Sequence, residues 1–105
     1  MNKAELVADL REMIDDLPIT FSVGGIEYTG TDSQQIKEKK LEEGGFLETF
    51  DRMIYAVIDD FIDAGVSVPE PGALFTIGGV NFRVDKVTRD LLEAGVEFGL
   101  NTPHR

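Results

Sequence analysis

The chain has 105 residues, of which 42% are hydrophobic and 29% are charged. This length allows one domain with one core, and the balance is typical of a folded soluble protein rather than a disordered or membrane protein. Twenty acidic and ten basic residues give a formal net charge of -10. That charge argues against a protein that binds nucleic acid or an anionic membrane, since both need clustered lysine and arginine. Because the sequence has no cysteine, disulfide scaffolds, thiolate metal sites and cysteine nucleophiles are excluded.

Residues 1–17 carry the pattern of an amphipathic helix. Asn2 can cap it, with Glu5 three residues later, and Pro18 stops it. Acidic residues interrupt this stretch too often for a signal peptide, and no window of the chain is apolar enough to span a membrane. We therefore predict an N-terminal helix and expect a cytoplasmic location. The apolar positions at helical spacing are Leu6, Val7, Leu10, Met13, Ile14 and Leu17.

Two β-hairpins are predicted, each around a pair of glycines. The first joins two alternating runs within residues 19–29 through Gly24-Gly25, and the second joins two such runs within 74–87 through Gly78-Gly79. Paired glycines supply the positive φ angles of a type I′ turn. We attribute the likeness of the hairpins to shared turn chemistry rather than to duplication. A last strand is predicted over 96–100, where apolar residues alternate.

Residues 50–62 are open to two interpretations. The run Met53–Ile58 is rich in β-branched and aromatic residues, which favours a buried strand. A helix is the alternative, because apolar residues also recur at helical spacing across the stretch. We favour the strand, and we expect a short extended piece at Val66–Val68 between two turns. The residues that fit the helical spacing are Phe50, Ile54, Val57, Ile58 and Phe61.

The segment 30–45 differs in composition from the rest of the chain. It is polar, has mixed charges, and offers only Ile36 and Leu41 for burial. Loops of this length without their own structure are uncommon and tend to be functional or mobile. We therefore predict one domain over 1–105, with a barrel-forming part over 19–100 interrupted by a long mobile loop at 30–45, and a frayed tail at 101–105.

Little in the sequence is suited to catalysis. The single histidine, His104, lies in the predicted tail, and adjacent acids such as Asp59-Asp60 point apart in a helix or a strand, so solvated surface is their expected role. The glycine pairs lack the spacing of phosphate-binding loops. The hairpin aromatics lack a basic groove beside which nucleic-acid bases could stack. We therefore predict that the protein is not an enzyme and uses no metal or cofactor.

The second hairpin, with the turn before it, resembles part of a known family. Pro69-Glu-Pro-Gly72, a strand, the glycine turn and Phe82-Arg-Val-Asp-Lys-Val87 look like the C-terminal half of small tailed-phage head-tail joining proteins. These are also called head-completion or tail-attachment proteins. Gly25–Thr31, the polar loop and Glu42–Leu47 are similar to the front half of the same proteins. The resemblance covers residues 19–100.

This resemblance implies an α+β fold, in which an N-terminal helix accompanies a small antiparallel β-barrel or rolled sheet. Proteins of the family form a ring at the neck of a phage or prophage particle and join its head to its tail. The expected partners are portal or connector proteins, tail proteins and further copies of the chain, which can be a monomer in isolation. The expected location is the virion, or the host cytoplasm during assembly, with no specific binding of nucleic acid or membrane.

The resemblance also directs attention to two sets of residues. Family members often keep the long loop flexible until assembly, so candidate assembly contacts lie in it and just after it, at Ile36, Lys37, Lys39, Lys40, Leu41 and Phe46. An acidic inner wall suits a DNA conduit, because like charge keeps the duplex from adhering. The candidates for facing such a channel are Asp51, Asp59, Asp60 and Asp63.

Two other functions remain open from the sequence. One is a soluble acidic protein-binding module or inhibitor that imitates nucleic acid or caps a basic partner, whose binding weakens with salt. The other is a small enzyme or metal-dependent accessory that uses its carboxylates, for which metal shifts the melting temperature. The N-terminal helix is also open to two roles, packing on the barrel or docking on a neighbour.

Overall fold

The computed structural model describes residues 2–32 and 50–103, and within them two helices and six strands. All the strand pairs are antiparallel, and together they close a barrel in the order β1-β2-β3-β6-β5-β4. The predicted fold class, an N-terminal helix with a small antiparallel β-barrel, is confirmed. In chain order the elements are α1 Lys3–Asp16, β1 Pro18–Val23, β2 Ile26–Asp32, β3 Arg52–Val57, α2 Ile58–Asp63, β4 Leu74–Ile77, β5 Val80–Arg89 and β6 Gly95–Asn101.

Helix α1 begins and ends as its sequence predicts. The Asn2 side chain accepts a hydrogen bond from the Glu5 backbone N–H at 2.8 Å, which satisfies one of the free donors of the first turn. The helix ends before Pro18, which opens β1. Its apolar face packs on the outside of the barrel rather than lying free, since Leu10 and Ile14 form a buried cluster with two barrel residues, Val57 and Ala94.

Both predicted hairpins are confirmed. Val23 pairs with Ile26 across the first turn, and Ile77 pairs with Val80 across the second. The glycines between them have φ angles of 58° and 84° in the first turn and 57° and 81° in the second. Two positive φ angles in succession match the twist of the flanking strands in a two-residue turn. The predicted last strand is also confirmed and extends over Gly95–Asn101.

In the stretch 50–62, each interpretation is correct for one half. Residues 52–57 form the favoured strand, and residues 58–63 form a helix. The change occurs where the Ile58 backbone N–H donates to the Ala94 carbonyl at 2.9 Å. From there, helical spacing lets Ile58 and Phe61, three residues apart, both lie in the barrel core. A continued strand would have pointed these two side chains to opposite faces.

Two boundaries were predicted wrongly. The loop predicted at 30–45 starts later, because residues 30–32 belong to β2, while 33–49 lie outside the described residues. The tail predicted at 101–105 is fixed at its start, since Asn101 ends β6 and Thr102 is hydrogen-bonded to Asp51. The predicted extended piece Val66–Val68 is neither helix nor strand. Its last residue, Val68, belongs to the hydrophobic core cluster that fills the barrel.

Aromatic rings fill the interior of the barrel. The rings of Phe21 and Phe75 stack with centroids 4.8 Å apart and planes 14° apart. The ring of Phe98 meets that of Phe75 edge-on at 4.8 Å. The ring of Phe61 lies 4.5 Å from that of Tyr28. Because Phe61 belongs to α2, this short helix contributes a side chain to the core of the barrel.

The docking of α1 predicts unequal effects for two neighbouring substitutions. Leu10 is 5% exposed and Met13 is 36% exposed. Leu10→Ala should lower the free energy of unfolding by about 2–5 kcal/mol, because it leaves a cavity between helix and barrel. Met13→Ala is the matched control and should change it by about 0.5 kcal/mol or less. Urea denaturation followed by circular dichroism measures both, and equal effects would contradict the docked helix.

Candidate functional site

Helices α1 and α2 are joined by two ion pairs. Lys3 Nζ lies 3.4 Å from Asp59 Oδ1. Arg11 donates to both carboxylate oxygens of Asp60, at 2.8 and 3.0 Å. Lys3 and Arg11 are the only basic residues of the two helices, so both are already neutralised. We call the acids of the two helices together the acidic helical surface, and these acids are Glu5, Asp9, Glu12, Asp15, Asp16, Asp59, Asp60 and Asp63.

The Arg11–Asp60 pair is bidentate and shorter than the Lys3–Asp59 pair. The side-chain hydrogen bonds to Asp60 raise the pKa of Arg11, with smaller contributions from the charges of Asp59 and Asp63 and an opposing contribution from partial burial. The guanidinium therefore stays charged and bidentate. Both side chains remain partly exposed, so the pair contributes at most about 1 kcal/mol and acts chiefly to position the helices.

The four predicted channel-facing acids lie in two separate places. Asp59, Asp60 and Asp63 belong to α2, directly after β3, whereas Asp51 directly precedes β3. A strand of six residues therefore separates them, which is a length of roughly 20 Å. Asp59 and Asp60 form ion pairs with α1, and Asp63 is exposed. The four acids do not form one continuous wall on the barrel.

Asp51 belongs instead to a polar network that holds the end of β6. Its Oδ2 accepts from the Thr102 backbone N–H at 2.9 Å and from the Thr102 hydroxyl at 3.2 Å. Its backbone N–H donates to Asn101 Oδ1 at 3.0 Å. Asn101 Nδ2 donates to Asp85 Oδ2 at 2.7 Å, and Arg83 Nε donates to Asp85 Oδ1 at 2.6 Å. The network ties the start of β3 and the end of β6 to β5.

The predicted assembly contacts fall outside the part of the chain that the structure describes. This applies to all six residues, so their role stays a prediction: Ile36, Lys37, Lys39, Lys40, Leu41 and Phe46. His104 lies outside it as well.

Among residues 2–32 and 50–103, no three carboxylate or histidine groups come together to hold a metal ion. No helix in the same ranges has the length and apolar character of a membrane span.

A feature that the sequence did not predict is a short open edge on β2. Among the described residues, this strand pairs with β1 along residues 26–31 but with β3 only at Thr31 and Asp32. In an antiparallel pair, every second residue of a strand hydrogen-bonds to the partner strand. Ile26, next to the two-residue turn, is the first residue of β2 that bonds to β1 in this way. The backbone groups of Glu27 and Thr29 therefore point away from β1, beyond Thr31↔Tyr55, the β2–β3 pair that lies nearest the hairpin turn.

Nothing in the described residues hydrogen-bonds to these outward backbone groups. The side chains of Glu27 and Thr29 are exposed. We call residues 26–29, on the side away from β1, the open edge of β2. A groove of about 340 Å³ runs beside it, and its lining residues are Arg11, Ile26, Glu27, Tyr28, Thr29, Asp60 and Ala64. The groove thus lies between the open edge and the ion pair of the acidic helical surface.

The open edge exists because β2 and β3 stop pairing at Thr31↔Tyr55, two residues before β3 ends and α2 begins at Ile58. The helical spacing of Ile58 and Phe61 signals the start of α2, but no local pattern signals where the pairing of β2 with β3 ends. Comparison with known proteins adds no assignment, because no family model matches the chain and no curated protein matches its sequence.

The polar network predicts a loss of stability in acid. Hydrogen bonds from Arg83 first and Asn101 second hold the pKa of Asp85 below its ordinary value of 3.8. A carboxylate whose pKa is lower in the folded than in the unfolded state stabilises the fold at pH values above its unfolded-state pKa. This stabilisation is lost as the pH falls through the folded-state pKa and the carboxylate becomes protonated. The affected window therefore lies below about pH 4.

Asp85→Asn should remove part of the acid-induced fall in Tm, measured by circular dichroism between about pH 5 and pH 2. The matched control is Glu70→Gln, at an exposed acid whose side chain makes no recorded hydrogen bond or ion pair in the described structure. The control should keep the wild-type pH profile. An Asp85→Asn profile parallel to that of the wild type would contradict the role of this carboxylate.

Proposed function

We propose that the chain is a structural joining protein of a tailed-phage or prophage particle and acts in the neck between head and tail. The resemblance over residues 19–100 supports this function. The fold adds support, because an N-terminal helix with a small antiparallel barrel is what that resemblance implies. The expected partners are portal or connector proteins, tail proteins and further copies of the chain.

The observation that carries the proposal is the contrast between the inside and the outside of the barrel. Phe21, Phe75 and Phe98 are at most 1% exposed and fill its interior. Small barrels whose interior is packed with side chains act through their outer surfaces and loops. A protein of this kind is suited to making contacts with other proteins.

The charge of the outer surface is also compatible with a place in the neck. The acidic helical surface carries eight carboxylates against two basic groups, both of which are paired with α2. Such a surface repels nucleic acid at close range and favours basic protein partners. In a ring, every copy would present the same surface, so its field would be repeated around the axis.

The same acidic surface favours a second candidate function, a soluble module that binds and caps a basic protein. The two functions differ in what the loss of the protein does. A joining protein is needed for heads and tails to combine, whereas a binding module acts on a partner outside the particle. Particle assembly therefore separates them.

The direct test is deletion of the gene from the phage or prophage that carries it, followed by induction and negative-stain electron microscopy. We expect DNA-filled heads and free tails to accumulate unjoined, and infectious titre to fall by orders of magnitude. The wild-type chain supplied from a plasmid should restore joined particles. Normal numbers of joined, infectious particles from the deletion would contradict the proposal and favour the binding module.

A further inference from the structure

We propose that the open edge of β2 is a binding site for an extended, basic peptide segment of a partner protein, which adds to the barrel as a further strand. The inference goes beyond the proposed function and does not depend on it, because strand addition serves either a joining protein or a binding module. It rests on the backbone geometry of residues 26–29, on the groove beside them and on the charges around that groove.

The backbone groups of the edge are unpaired among residues 2–32 and 50–103, and they are fixed in place. The outward N–H and C=O groups of Glu27 and Thr29 have no partner in the described structure. Between them, Tyr28 anchors the strand to the core, since its ring lies 5.7 Å from that of Phe21 and 4.5 Å from that of Phe61. An edge held rigidly in strand geometry binds an added strand with little loss of conformational entropy.

Helix α2 leaves space where β3 would have continued. The groove is lined on this side by Asp60 of α2, which is held by Arg11, and by Ala64 directly after α2, which has a small side chain. The groove of about 340 Å³ falls at the lower end of the usual range for ligand sites, about 300–1,000 Å³. This size suits a peptide of a few residues whose main chain bonds to β2.

The charges beside the groove select a basic peptide. Glu27 lines the groove on the open edge, and Asp63, which is exposed on α2 outside the lining, acts through its charge on the lining residue Arg11. The one basic group that lines the groove, Arg11, is neutralised by both oxygens of Asp60. Because side chains alternate along an added strand, basic residues should alternate with apolar ones, the latter contacting Ile26, which is 38% exposed.

The test uses the whole chain, labelled with ¹⁵N, and synthetic octapeptides with blocked ends. The probe alternates lysine with valine. One control peptide alternates glutamate with valine. Two further controls are lysine peptides that are N-methylated at every second backbone nitrogen, so that one peptide has the N–H groups of one strand edge blocked and the other peptide has those of the opposite edge blocked. We expect the lysine peptide to bind, and to slow amide exchange at Glu27 and Thr29 at least tenfold at saturation. The glutamate peptide and one of the two methylated peptides should bind at least tenfold more weakly.

A pair of variants at one position tests the backbone contact. Thr29→Pro removes an outward N–H without removing a β1–β2 hydrogen bond, whereas Thr29→Val keeps that N–H. We expect binding of the lysine peptide to weaken at least tenfold in Thr29→Pro and to persist in Thr29→Val. If Thr29→Pro does not fold, the methylated peptides decide the same point on the wild-type chain.

Four results would overturn the inference. The first is the absence of binding at millimolar peptide. The second is binding that leaves the exchange of Glu27 and Thr29 unchanged, and the third is equal binding of the glutamate peptide or of both methylated peptides. The fourth is slowed exchange at the edge on concentrating the chain alone, which would identify a second copy as the occupant. None of these results bears on the particle-assembly test, so the two proposals fail independently.

Discussion

The stacking of Phe21 on Phe75 is the contact on which the closed barrel depends. These residues lie on β1 and β4, the two strands that close the barrel, and the recorded pairing between those strands is the single pair Ser22↔Thr76. The opposite side of the barrel is held by six successive pairs between β3 and β6. We call the contact between β1 and β4 the seam, and the paired residues of β3 and β6 the β3–β6 ladder. Because the seam has so few backbone pairs, it is stabilised mainly by the buried rings, which stack at 4.8 Å. Because the closed barrel is filled by its own side chains, it can contact other molecules only through its outer surface.

The change from β3 to α2 shapes that outer surface. By turning into a helix at Ile58, the chain brings Phe61 into the core and sets Asp59 and Asp60 against α1. Among the described residues, β2 pairs with β3 only at Thr31 and Asp32, so the open edge of β2 remains beside the groove. The ion pair between Arg11 and Asp60 and the open edge therefore adjoin one another along the groove.

The sequence predicted those parts of the fold that depend on local signals. The α1 cap at Asn2, the stop at Pro18 and both glycine turns are encoded by neighbouring residues, and all are confirmed. Residues 50–62 fit both the spacing of a strand and the spacing of a helix. The hydrogen bond from the Ile58 N–H to the Ala94 carbonyl, a tertiary contact, marks where the strand ends and the helix begins. The fixing of Asn101 and Thr102 by Asp51 joins residues about fifty positions apart, and the open edge depends on strand order. Neither is visible in local pattern.

Native-state hydrogen exchange, followed residue by residue in wild type, Phe75→Leu and the control Val96→Ala, tests most directly whether ring stacking closes the barrel. The account predicts that in Phe75→Leu the amides of Ser22 and Thr76 exchange through a partial opening, at a lower free energy than the β3–β6 ladder. Val96→Ala, in that ladder, should lower global stability without this selective opening. If Phe75→Leu instead reduced protection evenly across seam and ladder, the central role of the stack would be contradicted.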